Sequence, residues 1–416
     1  MFVGSRIGST PLTPTTISIH IKIEENRPLK PLTTFKIGGP ARYFIDIADP
    51  AELGEAFDFA EKQNLPVLIL GGGSNMLVSD NGFDGLVIRI ANRGIEIMAP
   101  GLGSGVRGPG LENRQSRPQL RIASGEVWDD AIKFSAEQGL WGIENLSRIP
   151  GQAGAVAVQN VGAYGQEIAN ILVNVEVYDR KAKSFRNLSN AECGFSYRKS
   201  IFNTTEKNRY IILYTTLALS DEPNRNLSYP DVKKRFENNP EPSLAEIRET
   251  IKEIRDRKFP FPAESVEGNA GSFFKNSLLT EEQYAKLEKR FERNLPEYVY
   301  RLREVWDRTF RFGEAHIGPE GPVLHKVPSA FILEACGLKG FSRGNVQLNP
   351  TQPVVVLNVT GEATADEVLS LVREVRAIVE EKTGLHLYTE PEMIGFSAEE
   401  LRGYGFGEDE VMRYEA

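Results

Sequence analysis

Cysteine and histidine are scarce in this chain. Its 416 residues include two cysteines, Cys193 and Cys336, and four histidines. Two cysteines cannot build a disulfide scaffold or a cysteine-rich zinc or iron–sulfur site, and the histidines show no spacing that would hold a metal. Both cysteines stand beside apolar residues, so we expect buried, unreactive thiols. The sequence therefore predicts no metal site and a cytoplasmic protein.

Long apolar runs and an excess of positive charge are also missing. No stretch approaches the roughly 20 continuous apolar residues that a membrane-spanning helix needs, and the N-terminus shows no secretory signal. Asp and Glu number 57 against 49 Lys and Arg, which leaves a net charge of -8. An acidic total argues against bulk binding to nucleic acid, although a local basic pocket for a phosphorylated ligand stays open. We expect neither membrane insertion nor nucleic-acid binding.

The local patterns that are present predict a multidomain chain of helices and strands. Asp49-Pro50 is typical of a helix start, and Leu53, Phe57 and Ala60 follow at helical spacing. Apolar runs, capping boxes and a terminal glycine predict the other elements. These are strands at 66–70, 86–90, 173–178, 210–219 and 354–359, and helices near 128–138, from 243, around 330 and from 364 to 384.

Some segments interrupt this pattern. Residues 1–24 show no clear periodicity and are interpreted as an N-terminal extension. Residues 98–118 are rich in Gly, Pro, Arg and Ser. We interpret them as an inserted surface loop rather than a functional glycine motif, because no strand–helix pair brackets them. The run Lys258-Phe-Pro-Phe-Pro-Ala263 breaks a helix and predicts a domain boundary.

Three glycines follow a predicted buried strand in Gly71-Gly72-Gly73-Ser74-Asn75. Their backbone N–H groups can approach a ligand closely, as a diphosphate requires, and Ser74 and Asn75 add donors. The turn is neither a dinucleotide fingerprint nor a Walker loop. By itself it fits a tight structural turn as well as a phosphate cradle.

Small residues dominate a second segment, residues 149–165, which carries side-chain amides at Gln159 and Asn160. Such backbone can lie against a flat ligand and supply hydrogen bonds to ring heteroatoms, or it can form a packed corner. A third motif places Ser272 among glycines, with Lys275 and Asn276 close by. No nucleophile elbow is present and histidine is scarce, so this serine would donate a proton or position an oxygen rather than attack. The alternative is a loop serine that caps a turn.

Six motifs, in one order, resemble those of the UDP-N-acetylenolpyruvoylglucosamine reductases, the flavoenzymes of bacterial peptidoglycan precursor synthesis. They are Thr34-Phe35-Lys36-Ile37-Gly38-Gly39, the 71–75 turn, the 149–165 segment, and residues 197–202, 271–276 and 390–392. The resemblance implies an α+β fold. It implies an FAD-binding module of the vanillyl-alcohol-oxidase type, made of two α/β subdomains at residues 25–90 and 91–258. A C-terminal α+β substrate-binding domain at 259–392 and a tail at 393–416 would follow.

The resemblance also implies residue roles. Arg198 would activate the substrate, Ser272 would donate a proton, and Glu392 would be the third active-site residue. One branch of the family closes a loop carrying a tyrosine over the substrate, and residues 221–240 with Tyr229 match that loop. The implied flavin contacts are Gly71, Gly72, Gly73, Ser74, Asn75, Pro150, Gly151, Gln159, Asn160, Gly162, Ala163 and Tyr164, and the implied contacts to the UDP-sugar are Tyr229, Lys258, Asn276, Lys326 and Gln352.

The implied activity uses non-covalent FAD with NADPH as the hydride donor. It reduces UDP-N-acetylglucosamine enolpyruvate to UDP-N-acetylmuramate. The family's usual Glu-Pro-Glu-Val-Arg ending is shortened here to Glu390-Pro391-Glu392-Met393-Ile394, so an arginine is absent. Two alternatives stay open at this point: another FAD-dependent oxidoreductase of the same fold, and a non-catalytic nucleotide-sugar binder.

Overall fold

The computed structural model describes residues 21–99, 117–258, 261–308, 311–312 and 324–415. Most of the predicted N-terminal extension and most of the predicted 98–118 insertion lie outside the described residues. None of the helices that the structure describes is long and apolar enough to cross a membrane.

The first unit is a four-stranded sheet with one helix. Its sheet order is β1-β2-β5-β3, in which the first pair is antiparallel and the other two pairs are parallel. The Asp49 side chain accepts a hydrogen bond from the Ala51 N–H at the predicted helix start. The predicted apolar face of α1 is buried, which confirms the helix. The elements are β1 (Glu24–Pro28), β2 (Pro40–Ile47), α1 (Leu53–Lys62), β3 (Val67–Leu70), β4 (Met76–Val78) and β5 (Phe83–Ile90).

The second unit is built on a five-stranded antiparallel sheet, ordered β11-β10-β12-β7-β6. Tyr178, Ile211 and Leu213 of this sheet belong to the same buried cluster as Phe57 of α1. The Tyr178 and Phe57 rings stack with centroids 5.8 Å apart. The first two units therefore share a core. The elements are β6 (Ile95–Met98), β7 (Gln119–Ala123), α2 (Trp128–Glu137), β8 (Gly162–Ala163), β9 (Gln166–Glu167), β10 (Leu172–Asp179), β11 (Ser184–Ser189), β12 (Tyr210–Ala218), α3 (Pro230–Arg235) and α4 (Leu244–Asp256).

The third unit combines two small antiparallel sheets, ordered β13-β19-β18-β17 and β14-β16-β15, with six helices among the described residues. Thr364 forms the predicted capping box of its longest helix, and Gly384 ends that helix in the left-handed region, at φ 73°. The elements are β13 (Gly268–Ser272), β14 (Ser277–Leu279), α5 (Glu281–Asn294), α6 (Val299–Arg308), β15 (Arg311–Phe312), β16 (Leu324–Val327), α7 (Ser329–Ala335), β17 (Ser342–Arg343), β18 (Val346–Leu348), β19 (Val355–Asn358), α8 (Ala365–Thr383), β20 (Glu392–Ile394), α9 (Ala398–Gly403) and α10 (Glu408–Glu415).

The other predicted elements are confirmed within a few residues at each end. Both cysteines are buried, as expected. Burial raises the pKa of the Cys193 thiol to about 12 and that of Cys336 to about 11. Both thiols therefore stay protonated and unreactive at neutral pH. The domain boundaries stay a prediction.

Two long-range connections tie the third unit to the first. Strand β20 pairs in parallel with β4, with Glu392 opposite Met76. The 34–39 motif supplies the second connection, because the Thr34 hydroxyl donates to Asn269 O of β13 at 2.7 Å. The Asn358 amide also donates to Phe35 O at 3.1 Å. These bonds place strand β13, which ends at Ser272, beside the unit that carries the glycine turn.

Candidate active site

The two predicted flavin segments touch each other. The Asn75 side-chain amide donates to Gln159 Oε1 at 3.1 Å. A Cβ on Gly72 would lie 2.7 Å from Gly151 Cα, and a Cβ on Gly151 would lie 2.6 Å from Ser74 Oγ. The first distance is below any real Cβ contact and involves backbone, so only glycine at position 72 allows the two segments to approach this closely. Gly151 has φ 117°, a conformation that residues with side chains rarely adopt. The 71–75 turn and the start of the 149–165 segment thus form one backbone-lined cradle.

A buried acceptor and a cavity adjoin this cradle. Gln152 Nε2 donates to Gly125 O at 3.2 Å, whereas its buried Oε1 accepts no hydrogen bond within the described residues. A Cβ on Gly71 would lie 3.5 Å from that Oε1. Gly72 also lines a cavity of about 500 Å³. A buried acceptor with no donor in the described part of the chain, and half-buried glycine backbone beside a cavity, fit a polar, phosphate-bearing cofactor such as FAD.

Asn160 and Tyr164 of the same segment are already engaged with the protein. The Asn160 amide donates to Glu167 Oε2 and Ser196 O, each at 3.2 Å, and its Oδ1 accepts from the Ala169 N–H at 2.9 Å. The Tyr164 carbonyl accepts from the Asn145 amide at 2.8 Å. Asn160 and Tyr164 both have positive φ, at 45° and 49°. These hydrogen bonds fix the shape of the segment that carries Gly162 and Ala163, which form β8.

Ser272 and Glu392 lie on neighbouring backbone segments. The Glu390 N–H donates to Phe273 O at 2.9 Å, one residue after Ser272. The Glu392 N–H donates to Asn75 O at 2.9 Å, at the end of the glycine turn. Ser272 is exposed and Glu392 is half-buried. The structure therefore brings the predicted proton donor and the predicted glutamate to the edge of the cradle.

Arg198 connects the flavin segment to the Glu-Pro-Glu motif. Its Nη1 donates to Gly162 O at 3.1 Å, and its Nε lies 3.7 Å from Glu390 Oε1. The residue has φ 57°, an uncommon conformation for a non-glycine residue. The Asn203 side chain donates to Arg198 O at 3.1 Å and helps to hold this conformation. The guanidinium therefore points from the second unit towards Glu390, two residues before β20.

The predicted UDP-sugar residues fall into two groups. In the first, Lys258 Nζ lies 3.1 Å from Asp231 Oδ2, 5.5 Å from the Tyr164 ring centroid and 5.9 Å from that of Tyr229. The two tyrosine rings meet edge to face at 4.9 Å. Burial raises the pKa of the Tyr229 hydroxyl, so it remains a hydrogen-bond donor at neutral pH.

The backbone of Lys258 connects this group to the third unit. Its carbonyl accepts hydrogen bonds from the Asn349 amide at 2.9 Å and from the Thr351 hydroxyl at 3.0 Å. Asn349 Oδ1 in turn accepts from the Gln352 N–H at 3.0 Å. Gln352 is thus two hydrogen bonds away from Lys258.

The second group meets at Tyr197. The Asn276 amide donates to the Tyr197 hydroxyl at 3.4 Å, and Lys326 Nζ lies 4.7 Å from the Tyr197 ring centroid. Because Tyr197 precedes Arg198, it joins the predicted substrate residues of the third unit to the predicted activating arginine. Sequence reasoning quoted Tyr197 within its motif but gave it no role. Its position beside Arg198 was the signal that could have found it.

Sequence reasoning also missed two other charged residues. Lys207 Nζ lies 3.9 Å from Glu392 Oε2. Arg148, which immediately precedes the flavin segment, has φ 64° and binds two carboxylates: its Nε donates to Asp256 Oδ1 at 2.9 Å and its Nη2 to Glu264 Oε2 at 2.6 Å. No local pattern in the sequence marks either of them. Within the described ranges, no group of three or more His, Cys, Asp or Glu could hold a metal ion.

Comparisons with known proteins identify the family of this chain. The family model for the C-terminal domain of UDP-N-acetylenolpyruvoylglucosamine reductase matches residues 262–394, and that for an FAD binding domain matches residues 41–186. The Streptomyces avermitilis protein named UDP-N-acetylenolpyruvoylglucosamine reductase is 35% identical over 92% of this chain and 98% of its own length. A Xylella fastidiosa protein of the same name is 34% identical over 90% and 96%.

A solved structure supports the fold. The Thermus caldophilus UDP-N-acetylenolpyruvylglucosamine reductase superposes with a TM-score of 0.56 at 22% identity, over 90% of this chain and 99% of its own. The predicted α+β class and the predicted FAD-binding domain are confirmed. By the extent and identity of these matches, the chain belongs to the UDP-N-acetylenolpyruvoylglucosamine reductase family.

Proposed function

We propose that this chain is an NADPH-dependent flavoenzyme that reduces the enolpyruvyl ether of UDP-N-acetylglucosamine to UDP-N-acetylmuramate. As a family member it is an FAD-dependent oxidoreductase of peptidoglycan synthesis that acts on UDP-N-acetylenolpyruvoylglucosamine. The observation that carries the finer proposal is the meeting of Arg198, Ser272 and the Glu390–Glu392 motif at the rim of the glycine cradle. We place the activity in the cytoplasm.

The cradle would hold the cofactor. The backbone N–H groups of residues 71–74 and 151 would bind its diphosphate, and Gln152 Oε1, which is buried without a donor among the described residues, would accept from one of its N–H or O–H groups. Bound FAD would supply the hydride chemistry between NADPH and the substrate alkene. The protein would orient the substrate, place a positive charge beside its carboxylate and supply a proton.

Arg198 would bind the carboxylate of the enolpyruvyl group. An unactivated enol ether resists hydride addition, and a fixed cation on its carboxylate stabilises the negative charge that develops next to it. The guanidinium is planar and always charged, so it can bind a carboxylate through two parallel hydrogen bonds. Its bond to Gly162 O at 3.1 Å holds the side chain in place.

Ser272 would complete the addition by protonating the carbon that bears the carboxylate. The hydride would add first, to the methylene carbon, and the proton from Ser272 would then give the lactyl ether. A hydroxyl is a weak acid, so it serves only where a carbanion-like centre develops within hydrogen-bond reach. Ser272 is exposed at the end of β13 and can approach a bound ligand. Glu392, whose Oε2 lies 3.9 Å from Lys207 Nζ, would orient the enolpyruvyl end of the substrate.

The two groups around Tyr229 and Tyr197 would bind the UDP-sugar. Lys258 and Lys326 supply positive charge for the diphosphate in a chain that is acidic overall. Asn276 and Gln352 offer amides, and Tyr229 offers a protonated hydroxyl. We assign residues 221–240 as the loop that closes over the substrate, as in the tyrosine-loop branch of the family. We also keep the boundaries 25–90, 91–258 and 259–392 for the subdomains and the substrate domain.

The experiment that tests this proposal follows the flavin absorbance of the purified protein. NADPH, and NADH separately, are added without oxygen, and UDP-N-acetylglucosamine enolpyruvate is then added to the reduced protein. We expect rapid reduction by NADPH and rapid reoxidation by the sugar. Reduction followed by reoxidation with oxygen alone would indicate another flavin oxidoreductase. A colourless protein that still binds the UDP-sugar would indicate a non-catalytic binder.

A further inference from the structure

The C-terminal helix α10 buries a carboxylate that the proposed function does not use. Glu410 is only 4% exposed. Its Oε1 lies 2.6 Å from Arg376 Nη2 of α8, whose side chain is only 5% exposed. Its Oε2 lies 3.1 Å from His386 Nε2. A buried ion pair contributes little net stability compared with apolar packing, so its presence calls for another explanation.

Glu410 and Arg376 together hold one short backbone segment, residues 386–389. Glu410 Oε1 accepts from the Thr389 N–H at 3.3 Å and from the Thr389 hydroxyl at 3.4 Å. Arg376 Nε donates to Leu387 O at 2.9 Å. The pair therefore contacts the backbone on both sides of residue 388.

A second bond fixes Arg376 to the tail. Its Nη1 donates to Gly405 O at 3.4 Å, and its guanidinium lies 4.4 Å from the Phe406 ring centroid. Phe406 and Val411 are buried in the same apolar cluster as Leu387 of the held segment. The tail is thus packed against the segment that it holds.

The held segment leads directly into the candidate active site. Thr389 forms a bridge with Phe274, and the next residue, Glu390, donates its N–H to Phe273 O. Glu390 Oε1 lies 3.7 Å from Arg198 Nε. A shift of residues 386–389 would move Glu390 and Glu392 relative to both Ser272 and Arg198.

We propose that Glu410 is a positioning residue for the reaction. Through its hydrogen bonds with Thr389, Glu410 positions residues 390–392 relative to Arg198 and Ser272. This inference rests on the proposed function, since it concerns the step in which the UDP-sugar is reduced. The competing interpretation is that Glu410 only anchors the tail and affects stability alone.

The test compares Glu410→Gln with Glu408→Gln in the full-length, FAD-loaded protein. Glu408 lies on the same helix and forms an exposed ion pair with Arg402, so it is the matched control. We expect Glu410→Gln to keep its FAD and to be reduced by NADPH within about 2-fold of the wild-type rate. Reoxidation by the UDP-sugar should slow by ~10-fold or more, because small misplacements of catalytic groups are costly. Glu408→Gln should match the wild type in both steps.

A second pair of variants keeps the test decisive if Glu410→Gln does not fold. Thr389→Val removes the hydroxyl that donates to Glu410, and Thr389→Ser keeps it. Valine should slow reoxidation several-fold and serine should restore most of the rate. Wild-type reoxidation in folded Glu410→Gln, or equal rates in the valine and serine variants, would overturn the proposal. Failure of the wild-type protein itself to be reoxidised by the sugar would instead reject the proposed function.

Discussion

Arg198 Nε lies 3.7 Å from Glu390 Oε1, across the junction between the second and third units. The contact joins the motif that begins at Tyr197 to the motif that ends at Glu392. Gly162 O also holds this guanidinium, which we propose binds the carboxylate of the substrate.

Arg198→Lys should be far from conservative. Lysine keeps the charge but cannot hold Gly162 O and a substrate carboxylate in one planar fork. We expect turnover to fall by at least ~100-fold, the range seen when one donor to a developing charge is lost. FAD content should not change. The exposed neighbour Lys199, changed to Arg, is the control. Near-normal steady-state turnover in Arg198→Lys would show that Arg198 is not the activating cation.

Ser272→Ala should separate the two half-reactions. The serine is assigned only to the proton that ends reduction of the sugar, so flavin reduction by NADPH should stay close to the wild-type rate. Reoxidation by the sugar should slow by roughly 10²–10⁴-fold, the usual contribution of a positioned general acid. Stopped-flow absorbance measures both steps. Ser272→Cys should recover part of the loss, because a thiol also donates. A variant that is slow only in the NADPH step would contradict the assignment.

Tyr229→Phe should weaken binding of the UDP-sugar more than it slows flavin reduction. The change removes a protonated hydroxyl and leaves the ring that packs on Tyr164, so the fold should not suffer. We expect a higher KM for the sugar with little change in the rate of flavin reduction by NADPH. Tyr300→Phe, at a side chain that is 72% exposed, is the control. An unchanged KM would mean that Tyr229 is an ordinary loop residue.

Asp179 should make stability depend on pH in the acid range. Its buried carboxylate accepts from Arg209 Nη2 at 2.9 Å and from two backbone N–H groups. The bonds to Arg209 and to the backbone lower its pKa from 3.8 to about 2. Because the pKa of Asp179 is lower in the folded than in the unfolded chain, its ionised carboxylate adds to the free energy of unfolding. This contribution is complete above about pH 4 and is lost as the pH falls towards 2.

Chemical denaturation at several pH values tests this dependence. The free energy of unfolding of Asp179→Asn should be lower than that of the wild type at neutral pH, and the difference should shrink between pH 4 and 2. Asp84→Asn removes a carboxylate whose side chain is 86% exposed, and it should change little. A difference that does not vary with pH would mean that the ionised carboxylate of Asp179 is not what stabilises the fold.

Local signals in the sequence were enough for the helices and strands. The capping box at Ser243 and the left-handed glycine at Gly384 depend on neighbours within a few residues, and both are found where they were expected. Such features are encoded within short stretches.

Contacts between distant segments could not be predicted in the same way. Tyr197 belongs to the site because it contacts Asn276 and Lys326, and Lys207 because it lies beside Glu392. Nothing near Lys207 in the sequence distinguishes it from other lysines, and Tyr197 is marked only by its position beside Arg198. The left-handed backbone at Arg198 is held by Asn203 and by tertiary packing, and arginine has no preference for that conformation.

The parallel pairing of Met76–Val78 with Glu392–Ile394 has a consequence for how the protein is made. Domains generally fold from the N-terminus as the ribosome extends the chain. The glycine turn emerges first, and Glu392, the backbone partner of Asn75, is synthesised 317 residues later. A nascent chain can therefore form its first sheet and still lack the strand that completes the rim of the cradle. Catalytic competence must arrive in a late step, after translation has passed residue 392.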